Sequence, residues 1–391
     1  MSLSTRPENP IKAAIHANPN PYYTELAADK ALYYDHALHM WIAASAEVVN
    51  AVLTSGLCRV RPAAEPVPAA LVGSTAGQIF GALVRMTDGQ GHAVLKAGVS
   101  AALDTLNSTT TFEVSLRHAR TLATKYIPNR LTDFAFNLPV YVVADLLGVP
   151  PQQHSLVALW MADFVRCLSP ISTVEQIEQG KQAADQLFDL FGRLLSQQTA
   201  EKNPTLLDYL SQILSQVNIP DSTLVLSNAI GFISQTYEAT AGLIGNALVA
   251  LAAHPDIDAQ VRADVTLLPL FVDEVARFDS PVQNTRRFVA ADGIVAGQVM
   301  KADDSILVLL AAANGDKTAN PKPEIFNLGR EHSRCFSFGA GSHACPGQSL
   351  TKSITQAALH QIFVSGLDVT ALSKPINYRP STNTRVPLLN V

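Results

Sequence analysis

The sequence predicts a mainly α protein with small β-sheet regions. Three observations carry that expectation. Long stretches place apolar residues three and four apart, the spacing of one helix face. Pro, Gly or Asn separates those stretches, as at helix ends. Strand-like segments are short and few. The chain has 391 residues, 48% hydrophobic and 16% charged, which is enough apolar material for a large interior. No Ser/Gly tract, charge block or repeat interrupts it, so a single domain over residues 1–391 is expected.

The elements follow in order. A strand is expected at His39–Ala43, then helices at Ser45–Thr54, His92–Leu106, Thr111–Tyr126, Asp133–Leu147, Val174–Gln198 and Leu206–Leu214. Ser222–His254 is long and weakly charged, but Asn228, Gln235, Glu238 and Asn246 interrupt it. It therefore reads as a buried globular helix and not a membrane span. Arg287–Ala290 and Ile294–Val295 suggest a hairpin around Asp292-Gly293. Ser305–Leu310 is a buried strand candidate, Gln348–Val364 a helix, and Lys374–Val391 turn-rich with short extended pieces.

Composition narrows the function classes. A net charge of −5 gives no reason to expect nucleic acid. Four cysteines (Cys58, Cys167, Cys335 and Cys345) in so long a chain do not make a disulfide framework, which fits a reducing compartment. The N-terminal residues show no apolar signal core. A soluble, cytoplasmic protein without a membrane partner is expected.

Chemistry concentrates at Phe338-Gly-Ala-Gly-Ser-His-Ala-Cys345-Pro-Gly347. A cysteine at a helix N-terminus meets free N–H groups and partial positive charge, which lower its pKa and favour the thiolate. Gly339, Gly341 and Gly347 allow tight turns and close approach to a bulky planar ligand. The cysteine alone could ligate a metal or attack an electrophile. A zinc set of His332, Cys335, His343 and Cys345 lacks the paired short knuckles of zinc sites. Upstream, Glu274 and Arg277 share a helix face, a pattern that by itself fits a solvated surface pair. Gln235-Thr236-Tyr237-Glu238-Ala239-Thr240 puts polar groups in an otherwise apolar helix, as a ligand-lined cavity or a solvent stripe would.

Together these segments resemble the cytochrome P450 family of soluble, bacterial-type haem-thiolate monooxygenases. Phe338, Gly341, His343, Cys345 and Gly347 match its haem-binding loop. Glu274-x-x-Arg277 matches its second signature, Asp88-Gly-Gln-Gly-His92 a segment whose histidine reaches a haem propionate, and TAGLIGNALVALAAHPD the distal half of its long central helix. The resemblance implies the P450 fold and haem b (iron protoporphyrin IX), with Cys345 as the iron ligand and Phe338 packed against the haem near the sulfur. It also implies propionate contacts from His92, His343 and Arg287. Lys96 stands where many relatives carry arginine, and would act as a point charge. Glu274 and Arg277 would tie their helix to the segment before the cysteine loop.

The central helix departs from the family pattern. Relatives carry an acid followed by threonine, a pair that guides protons on the distal side of the haem; here the pair is Glu238-Ala239. Alanine has no hydroxyl to offer. Thr240 lies about 100° further round the helix, and Thr236 could help only where the helix unwinds. Glu238, Ala239 and Thr240 are therefore the catalytic segment to test. Three chemistries stay open: oxygenation with another hydroxyl or a water in place of the threonine, use of peroxide, or a non-oxygenating rearrangement, dehydration or reduction. A haem-based sensor is the rival from outside enzymology. Family layout puts the substrate among Pro66–Met86, Ile230–Glu238, Val282–Thr285 and Ser381–Asn383. Gln235, Gln283, Asn284, Thr285 and Asn383 suggest a small or medium substrate with hydrogen-bonding groups. With no second cysteine cluster and no dinucleotide fingerprint, a ferredoxin and its reductase are the expected donors to a monomer. Arg330, His332, Arg334 and Lys352 would form a basic patch for an acidic donor.

Overall fold

A computed structural model describes residues 6–197, 204–217, 221–372 and 375–389. Fourteen α-helices occur among these residues: α1 (Asn20–Asp29), α2 (Ala46–Thr54), α3 (Thr75–Ala82), α4 (Gly89–Asp104), α5 (Ser108–Tyr126), α6 (Leu131–Leu146), α7 (His154–Cys167), α8 (Val174–Ser196), α9 (Leu206–Gln216), α10 (Ser222–Ala253), α11 (Pro255–Ala263), α12 (Leu268–Phe278), α13 (Leu310–Asn314) and α14 (Gln348–Val364). The strands are β1 (Leu32–Asp35), β2 (Met40–Ala43), β3 (Cys58–Arg59), β4 (Thr285–Val289), β5 (Gly293–Val295), β6 (Gln298–Met300), β7 (Ser305–Val308), β8 (Asn377–Tyr378) and β9 (Pro387–Leu388). The expected helices form with ends moved by a few residues, and local chemistry sets those ends. Ser45 accepts the Val48 N–H and starts α2. Thr173 and Gln176 close a reciprocal capping box on α8. Gln198, Lys374 and residues 390–391, included in the expected elements, lie outside the described residues.

The main sheet has strand order β1-β2-β7-β4-β3. One expectation fails here. Arg287–Val289 does not pair with Ile294–Val295; it belongs to β4, which lies antiparallel to both β7 and β3. Ile294–Val295 belongs to a separate hairpin, in which Val295 faces Gln298 across a two-residue turn. That turn is Ala296-Gly297, with φ of 48° and 81°, the left-handed pair that a tight hairpin needs. Asp292 is used otherwise: its carboxylate accepts the Ala302 N–H and the Lys301 ammonium.

α10 is the axis of the fold. Asp221 caps it by accepting the Thr223 N–H, and most of its 32 residues are buried, so it is apolar nearly all round. The helix is unbroken from Ser222 to Ala253. Thr236 donates to the Phe232 carbonyl one turn back, at 2.6 Å, so no local unwinding frees it. Two glycines let the helix meet the C-terminal segment. A Cβ on Gly242 would come within 2.8 Å of the Arg385 carbonyl oxygen, and one on Gly245 within 2.6 Å of the Pro387 ring. Gly242→Ala is therefore expected to destabilise the protein by about 1–3 kcal/mol, the usual range for overpacking, read as a lowered denaturant midpoint. Among the described residues no helix is long and apolar enough to cross a membrane.

Candidate active site

The cysteine loop closes on itself before α14 begins. The Cys345 N–H donates to the Phe338 carbonyl at 2.8 Å, and the Gly339 N–H to the Phe336 carbonyl at 2.8 Å. Gly341 adopts φ 67°, and a Cβ there would meet the Leu53 carbonyl oxygen at 2.9 Å. That position needs glycine on both counts. Gly347 precedes α14, and its missing Cβ would lie 3.9 Å from the Cys345 Sγ. Lys96 of α4 donates to the Ala344 carbonyl at 2.6 Å, pinning the loop from across the cavity.

Cys345 has accessible surface yet is closely surrounded by protein, because it faces an interior cavity of about 820 Å³. Burial raises its thiol pKa, against the lowering pull of the Gly347 N–H and the Lys96 charge. The net lowering expected from the helix end is not seen. A nearby metal would add positive charge that favours the thiolate. His332, Cys335, His343 and Cys345 do not gather as a metal cluster, and no other group of three His, Cys, Asp or Glu does so among the described residues.

One wall of the cavity holds polar groups with unmet valences. His92 is buried and its Nε2 has no partner. Burial, the neighbouring His343 and Lys96 push its pKa down to about 4, so the ring is neutral at pH 7 and has an N–H to offer. His343 stacks on His92 with centroids 4.2 Å apart, and its Nε2 lies 3.3 Å from Asp88 Oδ1. Asp88 also accepts the Val60 N–H at 3.1 Å; burial raises its pKa, but these two hydrogen bonds bring it net below the usual carboxylate value. Arg287 is buried, donates to the Arg286 carbonyl at 2.8 Å and, among the described residues, reaches no carboxylate within ion-pair distance. A His92 Nε2 without a partner, and Lys96 and Arg287 bonded to neutral carbonyls, fit a planar metal macrocycle that carries carboxylates in the cavity that Cys345 faces. His92, Lys96, Arg287, Phe338, His343, Cys345 and Gly347 all line the cavity.

On the opposite side stand Glu238 and Ala239. Glu238 lies 3.8 Å from the Arg379 guanidinium and accepts the Thr384 hydroxyl at 3.2 Å. Thr384 in turn lies 2.8 Å from Ser381 Oγ. Thr240 is not with them. It is fully buried and donates to Thr351 of α14 at 3.3 Å, because the helical turn from 239 to 240 carries it out of the cavity wall. Gln235, Asn284, Thr285 and Asn383 line the cavity. Gln283 does not: its amide donates to the Ser280 carbonyl and its N–H to the Asn383 carbonyl, so it braces the chain beneath the wall. The joint between α7 and α8, around Val165–Thr173, also lines the cavity, as do Arg85 and Arg379. The α7–α8 joint and Arg379 were not expected from sequence, whereas Arg85 falls within the expected Pro66–Met86 segment.

Glu274 and Arg277 are buried, not solvated. Arg277 donates through Nε and Nη2 to both Glu274 oxygens, at 2.8 and 2.6 Å, and its Nη1 reaches the Pro323 carbonyl at 3.1 Å. Glu274 also accepts the Asn327 N–H at 3.0 Å and the Arg330 Nε at 3.2 Å. Arg330 is thus consumed by this network, and its side chain keeps only 8% of its exposure. Lys352 pairs with Asp273 at 2.7 Å. Of the expected basic patch, His332 and Arg334 remain exposed, with Arg334 lying over the Phe336 ring.

The family model described as Cytochrome P450 matches residues 159–365. A biotin biosynthesis cytochrome P450 of Bacillus subtilis (strain 168) is 26% identical over 254 residues, 64% of this chain and 63% of that protein. A vitamin D(3) 25-hydroxylase of Pseudonocardia autotrophica is 30% identical over 267 residues, 65% and 62% of the two chains. The chain thus spans about six tenths of the length of the curated relatives it matches. Among solved structures, P450BioI in complex with hexadec-9Z-enoic acid-ligated acyl carrier protein superposes with a TM-score of 0.82 at 23% identity, covering 95% of this chain and 97% of that one. The fold is that of the P450 structures.

Proposed function

Because the chain belongs to the cytochrome P450 family, we propose that it is a haem-thiolate monooxygenase acting on an organic molecule. The observation that carries this reading is Cys345, held by a closed glycine loop and facing a cavity that His92, with its Nε2 unpartnered, and the cations Lys96 and Arg287 also line. The cofactor is haem b. A thiolate-ligated haem supplies the chemistry of dioxygen activation and O–O cleavage.

The residues divide the remaining work. Cys345 is the iron ligand; the Gly347 N–H and Lys96 offset the charge on its sulfur. His92 and Arg287 hold propionates, and Asp88 fixes the His343 ring beside them. Phe338 packs beside the sulfur. Glu238 accepts the Thr384 hydroxyl, and Ser381 extends that contact into a hydroxyl path to its carboxylate. That path takes over part of the work of the hydroxyl missing at Ala239. Electrons come from a ferredoxin and its reductase, docking near His332 and Arg334. Curated relatives named as hydroxylases support the oxygenase reading.

The unbroken helix beside Ala239 favours a second reading in which the enzyme uses peroxide or performs a non-oxygenating rearrangement or dehydration. The test compares product per electron with product per peroxide, using a surrogate ferredoxin system. Under the oxygenase reading Glu238→Gln lowers the electron-driven rate by about 10²-fold, the low end for a positioned proton donor. Thr384→Val lowers it less, and Ala239→Thr raises product per electron. Electron-driven turnover that is absent while peroxide-driven turnover persists, insensitive to Glu238, would establish the second reading instead.

A further inference from the structure

We propose that Arg85 anchors the carboxylate of an organic-acid substrate whose apolar body runs along α10 toward Ala239. This deepens the haem-thiolate reading and rests on it. The first observation is a charge imbalance. In a chain of net charge −5, the cavity is lined by Arg85, Lys96, Arg166, Arg286, Arg287 and Arg379 against a single carboxylate, Glu238. Two haem propionates would not balance that excess. Most of these cations have other engagements. Lys96 holds the Ala344 carbonyl, Arg379 faces Glu238, and Arg166 lies 3.9 Å from Asp163. Arg287 is placed for a propionate beside His92. Arg286, the next residue of β4, also lines the cavity but is exposed.

Arg85 is different. Among the described residues it makes no side-chain hydrogen bond, ion pair or ring contact. Its side chain keeps accessible surface, yet burial lowers its pKa. Both hold because the surface it shows faces the cavity. Arg287, by contrast, is engaged by the Arg286 carbonyl and the Thr285 hydroxyl. A desolvated guanidinium with five donors and no acceptor matches a planar carboxylate.

Its position gives the pocket a direction. The neighbouring Val84 N–H donates to Asn228 Oδ1 at 2.9 Å, and the Asn228 amide donates to the Ala82 carbonyl at 3.0 Å. Asn228 precedes Glu238 by ten residues, about 15 Å along the helix axis. Phe80, Val84 and Phe232 line the cavity with them. A substrate would thus be held by its charged head at one end, against apolar walls, with its far end offered to the Glu238-Ala239 side.

The test is calorimetric titration of haem-loaded protein with dodecanoate and with methyl dodecanoate. The reduced carbon monoxide spectrum of each sample checks the thiolate-haem reading separately. Wild type is expected to bind the acid at least about tenfold more tightly than the ester, the scale of one charge-assisted hydrogen-bonded pair. Arg85→Gln should lose that preference while ester binding is unchanged, and Arg85→Lys should keep part of it. A preference that survives Arg85→Gln, or no preference in wild type, overturns the anchor even where the spectrum is intact. Loss of haem on Arg85→Gln overturns it too, by assigning the guanidinium to the cofactor.

Discussion

Cys345→Ser is expected to abolish the red-shifted Soret band of the reduced carbon monoxide complex and to bring product formation to background. A serine oxygen in that place would meet the same burial that already raises the thiol pKa. With the much higher intrinsic pKa of an alcohol, it would remain protonated and a poor ligand. Among the described residues no second thiol lines the cavity. Cys58 and Cys167 are buried away from the cavity, Cys335 interacts with Ser337, and burial raises all three thiols. Haem content and the spectrum are measured on the same sample. A variant that retains the thiolate signature would remove Cys345 from the iron and, with it, the functional reading.

Glu274→Gln is expected to cost about 3–5 kcal/mol of stability, the price of leaving buried charge unpaired. Glu274 is the one carboxylate facing both Arg277 and Arg330, and all three side chains are at most 8% exposed. Glutamine keeps the shape but leaves two guanidinium groups without a counter-charge. Against a typical total of about 5–15 kcal/mol, that is a large fraction, and it should appear in the urea midpoint. The damage reaches the active site through a traceable route. Arg277 holds Pro323, Glu274 holds Asn327, and Asn314 accepts the Phe336 N–H and donates to Ser337 just before the cysteine loop. Weaker haem retention should therefore accompany the loss of stability. An unchanged midpoint would show that the network contributes no net stability.

What could be read from residue order was local. The cysteine loop and Glu274-x-x-Arg277 are short patterns whose spacing survives folding, so they pointed correctly to the cavity and to the brace behind it. Helices announced themselves through apolar spacing. The hairpin near Asp292-Gly293 was misplaced because Asp-Gly is a strong local turn signal, while Ala296-Gly297 is a weak one that pairing of β5 with β6 makes sufficient. Thr240 and Gln283 were grouped with the site by proximity in sequence, but one residue of helical rotation, or one backbone bond to Asn383, turns a side chain out of the cavity. Arg330 looked like a surface cation because its partner, Glu274, is 56 residues away. Arg85 lies within the expected Pro66–Met86 wall, but its residue type carried no signal of a role. A single arginine in Leu83-Val-Arg-Met86 reads equally well as a surface residue, and only tertiary structure reveals what surrounds it.

The concentration of positive charge inside an acidic protein ties folding to ligand supply. Each anion that enters the cavity relieves repulsion that the polypeptide must otherwise carry alone, so haem and an acidic substrate act as stabilisers by mass action. The two are also coupled to each other. Propionates that neutralise Arg287 and accept the His92 N–H weaken the field holding a second anion, while they rigidify the walls that receive it. The thermal midpoint should therefore rise with haem occupancy, and the increment from substrate should differ between the haem-loaded and haem-free chains. The protein's heat resistance in a cell would then track its cofactor supply as closely as its sequence.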